Sequence, residues 1–166
     1  LFQGLPKGDK MEMVIQKNVE LGVHAIVPVA MKRCVVKLDE KKAQAKQKRW
    51  QQISESAAKQ AKRGIVPQIL PVMSFTQALD YAKDFEQKLL PYECAEGIEG
   101  TRRILSGTQP GQKVAVFIGP EGGFDEKEVE AAKDAGFQVL TLGRRILRTE
   151  TAGMMLLSVL GYLLEE

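Results

Sequence analysis

Short apolar runs alternate with amphipathic stretches of helical period from one end of this chain to the other, and that alternation narrows the possible folds more than any other feature. Runs at residues 1–5, 25–29, 69–72, 88–92, 113–118 and 139–142 read as strands. Between them, residues 10–21, 39–63, 74–85, 101–105, 125–135 and 149–164 carry the helical period. Asp9, Asp39, Ser74, Asp125 and Thr149 stand where N-caps belong, and Gly22 and Gly64 where helices end. Residues 34–38 fit a short strand or a ligand-facing loop. The run Val114-Ala115-Val116-Phe117-Ile118 is apolar on both faces, as in a parallel strand covered on both sides. The expected class is α/β, a mostly parallel sheet flanked by helices, in one domain over residues 1–166.

Bulk properties remove several functions. The chain has 166 residues, 44% of them hydrophobic, enough for one buried core. No apolar run approaches the roughly 20 residues that span a bilayer, and the N-terminus has no secretory pattern, so a cytoplasmic protein is expected. Cys34 and Cys94 lack metal-ligand spacing and His24 is the only histidine. No metal is expected, and the plain reading is two reduced thiols and an ordinary histidine. Charge is uneven: residues 32–63 hold eleven Lys and Arg against Asp39, Glu40 and Glu55, a local excess of +8 within a chain of net +3. Such a segment suits a polyanion, or is simply a solvated helix face.

Two loops concentrate the candidate chemistry. Ile118-Gly119-Pro120-Glu121-Gly122-Gly123-Phe124 leaves a buried strand and enters a capped helix, the position where open α/β sheets bind ligands. Its glycines allow close backbone approach, and Pro120 stiffens the turn. The spacing is neither GxGxxG nor GxxxxGK[ST], and Glu121 would repel a phosphate. The loop is either a ligand cradle or a purely structural turn. In the second loop, Leu142-Gly143-Arg144-Arg145-Ile146-Leu147-Arg148-Thr149-Glu150-Thr151-Ala152, Ile146 and Leu147 suit the wall of a pocket for a flat apolar group. Its three arginines are either solvated or meet RNA. Leu89-Leu90-Pro91-Tyr92-Glu93 is a third strand end, and three such ends side by side would make one concave site.

The two long motifs together resemble the RsmE family, uridine N3-methyltransferases of 16S ribosomal RNA in the SPOUT superfamily. Leu5-Pro6-Lys7-Gly8-Asp9-Lys10, the stretch from Gln16-Lys17 to Glu20-Leu21-Gly22-Val23, and Gln60, Arg63 and Val66-Pro67 extend the resemblance over nearly the whole chain. It implies a deep C-terminal trefoil knot, a homodimer and S-adenosylmethionine as cofactor. Leu90, Pro91 and Tyr92, then Ile118, Gly119, Pro120, Glu121, Gly122 and Gly123, then Leu142, Gly143, Ile146, Leu147, Thr151 and Ala152 would surround it. Arg148 would stabilise negative charge on the base, with Glu150 as its companion, either a base or a residue orienting arginine. Lys7, Arg33, Lys62, Arg63, Arg144 and Arg145 would contact RNA phosphate. Family members carry a PUA-like RNA-binding domain ahead of Leu5-Pro6-Lys7, so the resemblance implies the catalytic domain alone. The competing interpretation is a non-catalytic RNA-binding module with a vestigial pocket. A dinucleotide oxidoreductase ranks below both, because its glycine spacing is missing.

Overall fold

The computed structural model describes residues 1–93 and 97–164; Cys94 lies outside them. Seven strands and six helices alternate in chain order: β1 (Phe2–Gly4), α1 (Lys10–Glu20), β2 (Ala25–Ala30), α2 (Glu40–Gln60), β3 (Gln68–Ile69), β4 (Met73–Ser74), α3 (Phe75–Tyr81), β5 (Gln87–Pro91), α4 (Ile98–Ser106), β6 (Val114–Ile118), α5 (Glu126–Asp134), β7 (Gln138–Leu140) and α6 (Thr149–Leu164). They form one sheet ordered β3-β2-β1-β6-β5-β7, with β4 also beside β2. Every strand pairing is parallel. The expected α/β class with a parallel sheet flanked by helices is what forms.

Side chains alternate across a strand, so each face of the sheet has its own cover. On one face Phe2 of β1 stands in register with Phe117 of β6, their ring centroids 4.5 Å apart. Phe137 stacks on Phe117 at 4.5 Å, and Phe75 of α3 approaches it at 5.8 Å. Gln3 points the other way, toward α1 and α6. Those helices pack closely: a Cβ on Gly153 of α6 would come within 3.5 Å of Asn18 Oδ1 of α1.

Pro28 lies inside β2, where a missing N–H normally breaks a ladder. Val27 N–H donates to Leu1 O on the β1 side, so the Pro28 nitrogen faces the opposite neighbour. There the partner strand is itself interrupted: β3 pairs with Ala25 and Ile26, β4 with Val29 and Ala30, and Pro71 fills the gap. The single strand expected at residues 69–72 is therefore two short ones.

Several helix ends differ from expectation. Ser74, Asp39 and Asp125 cap as expected, each accepting a backbone N–H of the first turn. Asp9 makes no side-chain cap bond, and its carbonyl accepts from Glu12 N instead. The end of α2 turns at Lys62, with φ +55°, and not at Gly64. The buried face of α2 is Trp50, Ser54, Ala57 and Ala58, with Ile53 and Ala61 half-buried; Ser54 Oγ donates to Pro67 O, just before β3, at 2.6 Å. Residues 34–38 form a loop, α3 stops at Tyr81 short of Phe85, and Thr149 opens α6 without capping it.

Phe117 is fully buried and touches three other rings. Phe117→Ala should cost about 3–5 kcal/mol of unfolding free energy in chemical denaturation. A loss under about 1 kcal/mol would mean that the aromatic face is not the core.

Candidate functional site

In the sheet order β6, β5 and β7 are neighbours, so their carboxyl ends meet. A cavity of about 730 Å³ opens there, at the end of the sheet where such folds bind ligands and within the size range of small-molecule sites. A second cavity, about 320 Å³, lies at the opposite end, with Leu21, Val23, Tyr81 and Phe85 among its lining. His24 sits in that second cavity, away from the strand ends.

The glycine loop after β6 is held by clamps that consume its carboxylates. Glu121 Oε1 accepts from Lys7 N–H at 2.9 Å and from Lys10 Nζ at 3.0 Å. Burial works against the charged carboxyl, but these hydrogen bonds outweigh it and hold Glu121 below the ordinary glutamate value. Farther on, Asp125 and Glu128 form a capping box. Glu128 Oε1 also accepts Lys32 N–H at 2.8 Å, and Lys32 Nζ pairs with Asp125 at 2.9 Å. That ammonium, through its hydrogen bond, keeps Asp125 below the usual carboxylate range. Arg33 Nη1 donates to Gly122 O at 3.1 Å, and a Cβ on Gly122 would meet Arg33 Cβ at 3.2 Å. Gly4 is required by the same closeness, since a Cβ there would lie 2.7 Å from the Pro120 nitrogen.

The second loop, residues 141–148, returns from the edge strand β7 to the centre. Its anchor is the Thr149 hydroxyl, which donates to Gly119 O at 2.6 Å and accepts from Gln3 Nε2 at 2.8 Å. Helix α6 begins on the Arg148 carbonyl, which accepts from Thr151 N–H and Ala152 N–H. This fixes the Arg148 Cα while its exposed side chain lines the cavity. Among the described residues no carboxylate pairs with Arg144, Arg145 or Arg148.

Most residues singled out from the sequence converge on this cavity. Pro91 and Tyr92 line it from β5, Ile118, Gly119, Pro120, Glu121, Gly122 and Gly123 from β6, and Leu142, Gly143, Ile146, Leu147 and Ala152 from the last loop and α6. Leu90 and Thr151 do not line it: Leu90 is wholly buried behind the wall, and Thr151 faces solvent. Glu150 is also outside the lining, its carboxylate 3.9 Å from Lys10 Nζ. Of the cations assigned to RNA, Arg33, Arg144 and Arg145 line the cavity, Lys7 is exposed beside the Glu121 clamp, and Lys62 is exposed at the far end of α2. Arg63 has another task. Its Nη1 donates to Val19 O at 3.1 Å and Val23 O at 2.7 Å, and its Nη2 to Gly22 O at 3.3 Å, so it caps the carboxyl end of α1.

Glu93 and Phe124, the last residues of two of the expected loops, line the cavity too; Lys10, Glu126 and Thr141 also line it and were not singled out as site residues. The Gln3 anchor was missed as well, although a polar residue inside an apolar strand was the available signal. Cys34 is a free, buried thiol pushed up by desolvation, which makes it a packing residue and not a nucleophile. Among the described residues no group of three His, Cys, Asp or Glu is gathered for a metal, and no helix is long and apolar enough to cross a membrane.

Residues 1–161 match the family described as RNA methyltransferase domain. The chain is 44% identical over 165 residues to Ribosomal RNA small subunit methyltransferase E of Bacillus subtilis, which covers 98% of this chain and 64% of that protein. Among solved structures, the putative methyltransferase Lpg2936 of Legionella pneumophila, in complex with bound SAM, is similar with TM-score 0.89 and 38% identity, covering 98% of this chain and 64% of that one. Ribosomal RNA small subunit methyltransferase E of Neisseria gonorrhoeae, bound to S-adenosyl methionine, gives TM-score 0.81 and 37% identity over 98% and 65%. The chain thus spans about 64% of the length of the first relatives it matches.

Two measurements check the clamps. Thr149→Val removes the donor to Gly119 O and the acceptor of Gln3, and should cost about 1–3 kcal/mol in denaturation, with Thr149→Ser restoring most of it; equal stability of all three proteins would remove the anchor. For Glu121, a lowered folded-state pKa means stability that is fully present above the ordinary value of 4.5 and is lost as pH falls through the folded value. The stability difference between wild type and Glu121→Gln should therefore be constant near neutrality and shrink in acid; a difference that grows on acidification would contradict the Lys7 and Lys10 bonds.

Proposed function

This chain belongs to the RNA methyltransferase domain family and stands with the ribosomal RNA small subunit methyltransferases E, and on that premise we propose that it transfers methyl from S-adenosylmethionine to N3 of a uridine in 16S ribosomal RNA. The observation that carries the proposal is the convergence of a glycine cradle and Arg148, an arginine without a carboxylate partner among the described residues, on one cavity at three adjacent strand ends.

The residues present fit that cofactor. Backbone approach is open along Gly119, Gly122 and Gly123, Leu142 and Leu147 offer apolar walls, and Glu93 and Glu126 supply negative charge for a cationic ligand. When bound, S-adenosylmethionine supplies an electrophilic methyl group. The protein's part is to position and neutralise. Uridine N3 carries a proton at neutral pH and lies on the Watson–Crick edge, so the target base must be unpaired to enter. As the proton passes to solvent water at the mouth of the cavity, negative charge spreads to the flanking carbonyl oxygens, where the permanent charge and planar donors of Arg148 are suited to hold it. Glu150, turned toward Lys10, is a positioning residue and not the base in this proposal. Arg33, Arg144 and Arg145 rim the cavity for phosphate.

The proposal includes the C-terminal trefoil knot. Its support is the path of residues 141–148 from the edge strand over the ends of β5 and β6, with α6 then tucked beside α1. It also includes a homodimer, for which α6 offers exposed Tyr162 and Leu163. The substrate makes the expected location cytoplasmic, consistent with a free Cys34.

The test uses the full-length protein. Arg148→Ala should lower methylation of ribosomal RNA by about 100-fold or more while calorimetric affinity for S-adenosylmethionine stays within a few-fold. Near-normal turnover would sink the role of Arg148, and RNA binding by the wild type without any methylation or cofactor binding would favour the vestigial module.

A further inference from the structure

Both ends of α1 are stapled to the middle of α2 and the residues after it. Arg49 of α2 pairs with Glu12 in the first turn of α1 at 3.3 Å, and Arg63 beyond α2 caps the last turn of α1. The helices therefore run the same way, and the first turns of α2 lie on the cavity side of the Glu12 contact, where Lys10 of α1 lines the cavity. At 100° per residue, Lys42, Lys46 and Arg49 share one ridge of α2, on the side facing α1. Trp50 and Ala57 are buried beside that ridge, while Gln47 and Gln51 reach across to residues 67–69 on the other flank.

All three ridge cations are exposed. Lys42 has only Asp39, at 3.5 Å between two exposed side chains, and among the described residues Lys46 has no carboxylate partner. Residues 32–49 hold eight Lys and Arg against Asp39 and Glu40. Lys32 binds Asp125 and Arg33 binds the Gly122 carbonyl, so the connection into α2 is anchored to the glycine loop. Successive ridge cations are about 4.5–6 Å apart along the helix axis, a spacing that long, exposed side chains can match to successive phosphates of an extended strand. A second line of cations, Lys41, Lys48 and Lys59, faces away from α1 and has no such continuity with the cavity.

We propose that the Lys42–Lys46–Arg49 ridge is a phosphate track for the single-stranded RNA flanking the nucleotide in the cavity, continuous with it through Lys10 and Arg33. This rests on the methyltransferase proposal above. The ridge carries binding energy only, so its loss weakens RNA affinity and leaves cofactor affinity intact.

The test compares two double variants of the full-length protein with equal charge change, both leaving the Arg49–Glu12 pair intact: Lys42→Gln/Lys46→Gln on the ridge, and Lys41→Gln/Lys48→Gln on the outer face. The ridge variant should raise KM for ribosomal RNA tenfold or more and lower the slope of log affinity against log salt by about 1.4, at roughly 0.7 per single-strand phosphate contact. Its kcat at saturating RNA and its calorimetric affinity for S-adenosylmethionine, which also reports folding, should stay within twofold, and the outer variant should shift KM less than threefold. Equal effects of the two variants, or no effect of the ridge variant, would overturn the track. Failure of the wild type to methylate ribosomal RNA would instead overturn the methyltransferase proposal.

Discussion

One hydroxyl holds the site together. Thr149 Oγ1 donates to the carbonyl of Gly119 and accepts from the buried Gln3 amide, so the end of β6, the middle of β1 and the start of α6 meet at a single atom. Neither loop forms the cavity alone: the glycine loop gives backbone, and residues 141–148 give side chains. The hydroxyl makes them one body. It requires a polar side chain in a central strand, and the cost is visible, since Gln3 Oε1 and Asn18 Oδ1 are buried with no partner among the described residues. A layer this polar between α1, α6 and the sheet is a poor choice for stability alone. It aligns two loops whose separate flexibility would cost more when a ligand binds.

The distribution of charge follows the same logic. The carboxylates nearest the glycine loop are spent on clamps: Glu121 on Lys7 and Lys10, Glu128 on Lys32 and its own helix start, Asp125 on Lys32. Glu150 faces Lys10 from the other loop, so one ammonium stands between both. Arg144, Arg145 and Arg148 are left facing the cavity without acidic partners among the described residues. Were they salt-bridged, a phosphate or a developing oxyanion would first have to displace a carboxylate. The charge therefore stays available where an anion arrives.

Local patterning made the class legible. The doubly apolar Val114–Ile118, the capping residues Ser74 and Asp125, and Gly22 at φ +88° act through neighbours a few residues away, and each lies where its pattern indicated. The loops were legible because each leaves the carboxyl end of a buried strand, where open α/β sheets bind their ligands. Long-range partners were not. Thr149 is a sound N-cap by type, yet its hydroxyl bonds 30 residues back and 146 residues back. Arg63 is as good a phosphate ligand by type as Arg33, and only the tertiary fold turns it onto the carbonyls of α1. The break between β3 and β4 lies opposite Pro28 of β2, a neighbour some forty residues away that no short window along the chain contains.

The staples on α2 bear on how RNA affinity is used. A mobile basic helix would bind polyanions, but its contacts would be made equally well with the base in or out of the cavity. Here Arg49, at the middle of α2, and Arg63, beyond its end, fix α2 to α1, and Lys32 fixes the preceding loop to α5. Phosphates held on the ridge are then held at a set distance from Arg148. Binding energy gained remote from the reacting atoms can offset the unstacking and ordering of the target base, which a loose tether could not do. Rigidity of the frame, more than the number of cations, is what would convert affinity for RNA into placement of one nucleotide.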